Sequence, residues 1–188
     1  SPVTETFAQM NGELWTDIVS AAGFGTAQIA SNDGDGTVRN LDIPILRDAQ
    51  FGMGSALGDI DNDGDLDWFV TSILGPGDEK LDLKPWGNRF YSNDGSPSLL
   101  VDDAARLGVA DGSFGWAACF LDIDNDTDLD IYHTNGYPVS FLTPQDAYQT
   151  DASRVFVMND AGTYTEQAEA LGLAARTSGR GVVCADFD

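Results

Sequence analysis

The sequence predicts an all-β fold built from repeated units of four antiparallel strands. Three observations carry that expectation. An aspartate-rich stretch, Asp59-Ile60-Asp61-Asn62-Asp63-Gly64-Asp65-Leu66-Asp67, returns as Asp122-Ile123-Asp124-Asn125-Asp126-Thr127-Asp128-Leu129-Asp130. Short runs of small, β-branched and aromatic residues, the composition of strands, flank each copy. The spacing is regular, with Asp59 and Asp122 63 positions apart and Asp122 and Asp186 64 apart, and such a period marks a repeat architecture.

The elements follow one order within each unit. First comes a segment of small and apolar residues, at Phe51-Gly52-Met53-Gly54-Ser55-Ala56-Leu57, Phe114-Gly115-Trp116-Ala117-Ala118-Cys119-Phe120 and Ser178-Gly179-Arg180-Gly181-Val182-Val183-Cys184. These suit crowded inner strands, where little side-chain volume fits. The aspartate loop is next, and after it a second strand, Trp68-Phe69-Val70-Thr71-Ser72-Ile73 or Ile131-Tyr132-His133-Thr134. Variable loops follow, at Gly75-Pro76-Gly77-Asp78-Glu79-Lys80 and at residues 136–150, whose composition places them on the surface, where partners are met. An aromatic strand then runs into an Asn turn, a hairpin signal, and on to a last strand with a short helical turn ending at glycine. This part is read at Phe90-Tyr91-Ser92-Asn93-Asp94-Gly95 through Leu107-Gly108-Val109, and at Phe156-Val157-Met158-Asn159-Asp160-Ala161 through Leu171-Gly172-Leu173. An earlier copy is read at Phe7-Ala8-Gln9-Met10-Asn11-Gly12 through Ala22-Gly23-Phe24.

Four strands per unit is the content of a propeller blade. The expected division is a partial blade over 1–50 with an insertion at 25–50, repeats over 51–113 and 114–177, and the start of a further repeat over 178–188. Within the insertion, Ser31-Asn32-Asp33-Gly34-Asp35-Gly36 reads as an acidic turn, because the remaining aspartates of a full loop are missing. Closed rings take roughly four or more blades, so the expectation is a single domain forming a partial or open propeller. More chain or other subunits would then cover its open faces.

Carboxylates at alternate positions repel one another unless a divalent cation sits among them. Calcium suits the loops, since it takes about six to eight oxygen ligands in flexible geometry. In the first loop the assigned ligands are the side chains of Asp59, Asp61, Asp63 and Asp67 and the carbonyl of Asp65, with Gly64 allowing the bend. Asp122, Asp124, Asp126, Asp128 and Asp130 take the same roles in the second loop, where Thr127 replaces the glycine. Asp186 and Asp188 open a third loop, to be completed by further chain or by a neighbouring subunit. An EF-hand is excluded because its twelfth loop position, a bidentate Glu, is Val70 here. Ile60, Leu66, Ile123 and Leu129, at the non-liganding positions, anchor the loops to the core. The Asn125-Asp126-Thr127 sequon falls inside a metal loop and reads as coincidence.

With these residues in place, the chain resembles tandem FG-GAP/VCBS repeats, as in integrin-like β-propellers and the bacterial relatives of cartilage acidic protein. Phe51-Gly52 and Phe114-Gly115 match the "FG" element, and the aspartate loops match the pattern D-x-D-x-D-G-x-x-D. The "GAP" triplet is not evident, and Thr127 departs from the loop pattern. The resemblance implies calcium held structurally at blade edges in a secreted or surface protein.

With 31 acidic and 9 basic residues the net charge is −22, which sets aside nucleic acid and anionic membranes as partners. No apolar run is long enough to insert in a membrane, and a secreted protein beginning at Ser1 implies processing. Cys119 and Cys184 lie on equivalent inner strands; two buried thiols are expected, with a disulfide as the alternative. No catalytic motif is present, so no catalytic residue is assigned, and His133, the lone histidine, reads as a packed or surface imidazole. The expected function is a non-enzymatic, calcium-binding extracellular module for adhesion or structural assembly, engaging protein partners or copies of itself in an oligomer or filament. The alternative is a glycan-binding or carbohydrate-active protein whose Trp15, Trp68, Trp86 or Trp116 stacks on sugars; core or interface packing is the default for each.

Overall fold

A computed structural model of the chain describes residues 2–23, 26–48, 51–74, 87–136 and 151–185. They form three four-stranded antiparallel sheets, as the repeat pattern leads one to expect. Sheet one runs β1 (Pro2–Ala8), β2 (Asp17–Ala22), β3 (Gln28–Asn32) and β4 (Val38–Asn40). Sheet two runs β5 (Ser55–Gly58), β6 (Asp67–Val70), β7 (Arg89–Ser92) and β8 (Val101–Asp102). Sheet three runs β9 (Gly115–Leu121), β10 (Asp130–Asn135), β11 (Arg154–Met158) and β12 (Tyr164–Glu166). The last strands of sheets two and three lead into single helical turns, α1 (Ala104–Leu107) and α2 (Ala168–Leu171). Both turns stop at a left-handed glycine, Gly108 or Gly172, whose N–H bonds back to the first turn.

The sheets stack through their faces, which explains the composition of their strands. Alternate residues of a strand point to opposite faces. On β6, Trp68 and Val70 therefore join Val19, Ala21 and Ile29 of sheet one, while Phe69 joins Phe90, Ile131, Phe156 and Met158 between sheets two and three. Each fully buried side chain of this size contributes on the order of 1.5–3 kcal/mol. The inner strands β1, β5 and β9 adjoin one another, with the Thr4 hydroxyl donating to the Met53 carbonyl at 2.8 Å. The crowding expected of these strands is real: a Cβ on Gly54 would lie 2.0 Å from the Trp116 carbonyl oxygen.

Residues 25–50 are not an insertion. Described residues within that span supply β3 and β4, so sheet one is complete; Ser31 and Asn32 end β3, and residues 33–37 form the turn to β4, closed by Asp33 N–H on the Thr37 carbonyl at 3.2 Å. The early copy read at Phe7–Phe24 is also displaced. Phe7 and Ala8 end an inner strand rather than an aromatic third strand, and the counterpart of Asn93 in sheet one is Asn32. In sheet three the counterpart of Asn93 is Met158, one position before Asn159, because Tyr91 pairs with Trp68 as Phe156 pairs with Ile131.

Cys119 and Cys184 are joined as a disulfide, which corrects the expectation of two thiols. The cause is the docking of the segment that follows α2. Gly179 N–H donates to the Asn135 carbonyl at 3.2 Å, as Gly115 N–H donates to the Ser72 carbonyl at 3.1 Å, so this segment sits on sheet three as β9 sits on sheet two. The Arg180 guanidinium lies 3.9 Å from the centre of the Trp116 ring and donates to the Gly136 carbonyl at 3.0 Å. The link brings the two Cα atoms to 6.1 Å.

Candidate metal centres

Each aspartate loop joins an inner strand to its neighbour, and short side chains fold it on itself. In the first, Asp59 accepts from the backbone N–H of Asp63 at 3.1 Å and of Gly64 at 3.0 Å. In the second, Asp122 accepts from Asp126 at 3.2 Å and Thr127 at 3.0 Å. Asn62 and Asn125 stand at φ 60°, where asparagine is tolerated, while Gly64 stands at φ 97° and Thr127 at φ 80°. Thr127 thus adopts the left-handed conformation that the glycine pattern asks for.

This folding gathers the carboxylates of Asp59, Asp61 and Asp67, and those of Asp122, Asp124 and Asp130, so that in each trio the oxygens lie within 4.8 Å of one another. Asp63 and Asp126 lie outside the trios; each accepts the N–H two residues on, from Asp65 at 2.9 Å and Asp128 at 3.0 Å. Asp65 and Asp128 enter the assigned ligand set by their carbonyls alone. Asp186 and Asp188 lie outside the described residues.

The last aspartate of each loop is buried, Asp67 at 2% exposure and Asp130 at 1%. Its two oxygens each accept a backbone N–H. Asp67 takes those of Ile60 and Asn93, both at 3.0 Å; Asp130 takes those of Ile123 and Met158, both at 2.9 Å. Burial, and after it the neighbouring carboxylates, push Asp67 up to about 6. Burial leads the upward shifts of Asp61, Asp124 and Asp130 as well, with adjacent aspartates adding to each. Hard oxygen donors held together against their own repulsion fit a hard divalent cation, which stabilises the charged forms that the protein alone disfavours. The two groups can hold a metal ion.

A third loop of the same build precedes β2 and was not read from the sequence. Asp17, at 0% exposure, accepts from Met10 N–H at 3.1 Å and Asn32 N–H at 2.9 Å, the pattern of Asp67 and Asp130. Counting back from it, Gln9, Asn11 and Glu13 fall where Asp59, Asp61 and Asp63 fall, and Gly12 at φ 70° takes the place of Asn62. The available signal was a lone aspartate opening the apolar strand Ile18-Val19; without flanking carboxylates it did not stand out. In all three loops the carbonyl before the final aspartate receives a side-chain donor. Asn32 Nδ2 reaches Thr16 and Asn93 Nδ2 reaches Leu66, both at 3.2 Å, and the Tyr164 hydroxyl reaches Leu129 at 2.9 Å.

The remaining candidates pack. His133 is fully buried between Phe69 and Phe156, with ring centres 6.1 and 5.6 Å away, and desolvation pushes it down to about 4. Trp68 is buried, Trp116 stacks between Phe114 and Arg180, and Trp15 is half-exposed over the turn at Gly34; Trp86 lies outside the described residues.

No curated protein matches this chain. A family model described as an FG-GAP-like repeat matches residues 10–70, from the loop before β2 through the first aspartate loop to the end of β6. Over that stretch the chain is similar to an FG-GAP-like repeat, and among the described residues one plan of sheet and loop is met three times.

Proposed function

We propose that this protein is a non-enzymatic, calcium-stabilised module that serves adhesion or structural assembly outside the cell. The observation that carries the reading is the trio Asp59, Asp61 and Asp67 and its repetition at Asp122, Asp124 and Asp130. The all-oxygen donor set suits calcium over zinc or copper, which favour nitrogen and sulfur. The disulfide between Cys119 and Cys184 supports an oxidising compartment, and no helix among the described residues is long and apolar enough to cross a membrane. Sheet one leaves Phe7 68% and Val38 55% exposed, apolar surface that favours a protein partner or another copy of the chain.

Sites of this kind in extracellular modules bind calcium at about 0.1 to 1 mM, so roughly 10 mM calcium should add about 1.5 to 2.7 kcal/mol per loop. Thermal unfolding in calcium and in chelator tests this, with a rise of several degrees expected. An unchanged melting temperature rejects the reading. Light scattering under the same two conditions tests assembly: a mass of several chains that collapses in chelator supports cation-dependent association, and a single-chain mass throughout removes it.

A further inference from the structure

We propose that each loop governs the joint between its own sheet and the element that follows, so that cations tighten the joints after sheets two and three while the joint after sheet one sets without a cation. This rests on the calcium reading above and concerns what the bound ion does to the fold.

The second residue of each loop packs into the joint ahead of its sheet. Met10 is buried in the core between sheets one and two, Ile60 packs into the core between sheets two and three, and Ile123 packs beyond sheet three on the cluster of Val155, Val157 and Ala168, which Ala174 also meets. Each therefore plugs the forward joint. Its backbone N–H is held by the final aspartate of its own loop, Asp17, Asp67 or Asp130, at 3.1, 3.0 and 2.9 Å. In sheets two and three its chain neighbours on both sides are carboxylates of the trio, Asp59 and Asp61 or Asp122 and Asp124. A cation drawing those carboxylates together fixes the backbone on either side of Ile60 or Ile123 and seats the side chain in the joint.

The joint after sheet one is built differently. Gln9 and Asn11 flank Met10 and bring no charge to be neutralised. The Asn93 amide of sheet two instead donates across the joint to the Met10 carbonyl at 3.3 Å. The residue in the place of Asn93 in sheet three is Met158, whose side chain has no hydrogen to donate to Ile60. In addition, Trp15 covers the turn of its own sheet so closely that a Cβ on Gly34 would meet the indole at 2.1 Å. Where the cation ligands are missing, a direct polar tie and an aromatic cover take their place.

Hydrogen exchange on the intact chain, in millimolar calcium and then in chelator, separates the outcomes. Chelation should lower protection about tenfold or more in peptides covering 54–60, 114–121 and 172–185, and leave β2 and β3 unchanged. Asp61→Asn should release 54–60 and 114–121 alone, and Asp124→Asn should release 114–121 and 172–185 alone. Calcium binding by calorimetry with protection changes confined to 59–67 and 122–130, or spread equally over all three sheets, overturns the coupling and leaves the calcium reading standing. No binding heat and no change in exchange overturns both. Should a variant fail to fold, the comparison of calcium with chelator on the unaltered chain decides alone.

Discussion

Thr127 bears the local cost of an imperfect loop. Its φ of 80° is a conformation that β-branched residues rarely hold, and the place is glycine in the first loop. Thr127→Gly should therefore raise stability by about 1 kcal/mol and tighten calcium at the second loop, with denaturation and calorimetry as the measurements. No gain in either would mean that the backbone bears no strain there. His133 shows burial acting on a base. Between pH 6.5 and about 4 the unfolded chain binds the proton that the folded chain refuses, so stability is lost as pH falls through that window, by about 3 kcal/mol in all. Asp67 acts in the opposite sense when free of cation, since its raised value favours the protonated fold and stability falls as pH rises from 3.8 to about 6. In saturating calcium that opposition is removed, and His133→Phe should flatten the acid slope; an unchanged slope would assign it elsewhere.

The loop between an inner strand and its neighbour is the unit of this fold, and it has two separable functions. The final aspartate clamps two backbone N–H groups whether or not the other carboxylates of a trio are present, as Asp17 does with Gln9 and Asn11 in their places. Asp17→Asn should cost about 1–3 kcal/mol, equally in calcium and in chelator, because it removes a buried charged acceptor and no cation ligand. A loss that appeared only in calcium would place a cation at this loop. The same separation explains what could be read in advance. Charge repetition made the loops of sheets two and three plain, and small residues marked β5 and β9. The loop of sheet one has Gln9 and Asn11 where the trios have aspartates and keeps the clamp, so Phe7–Gly12 resembled an Asn turn and β3 passed for part of an insertion. Asn159 offered an equally misleading match, since the role of the Asn93 side chain passes in sheet three to Tyr164, a different residue on a different strand.

At the scale of the whole molecule, three sheets share two joints, and the segment after α2 begins a third. The disulfide closes 65 positions of chain around sheet three, a constraint worth about 4 kcal/mol if it acts through the unfolded state. Its outcome was hard to foresee, because whether two cysteines one position out of register meet depends on how Gly179 and Arg180 seat the segment on Thr134 and Trp116. The same link gives the chain a mechanical property. In a module that bears tension between two attachments, force enters through the chain ends, and the residues between Cys119 and Cys184 are bypassed by a covalent bond. Sheets one and two would then unravel first, while sheet three could lose its packing without paying out length. Pulled in single-molecule force spectroscopy, the oxidised chain should extend roughly 200 Å less than the reduced one. Equal extension under both conditions would show that the bond does not form in solution.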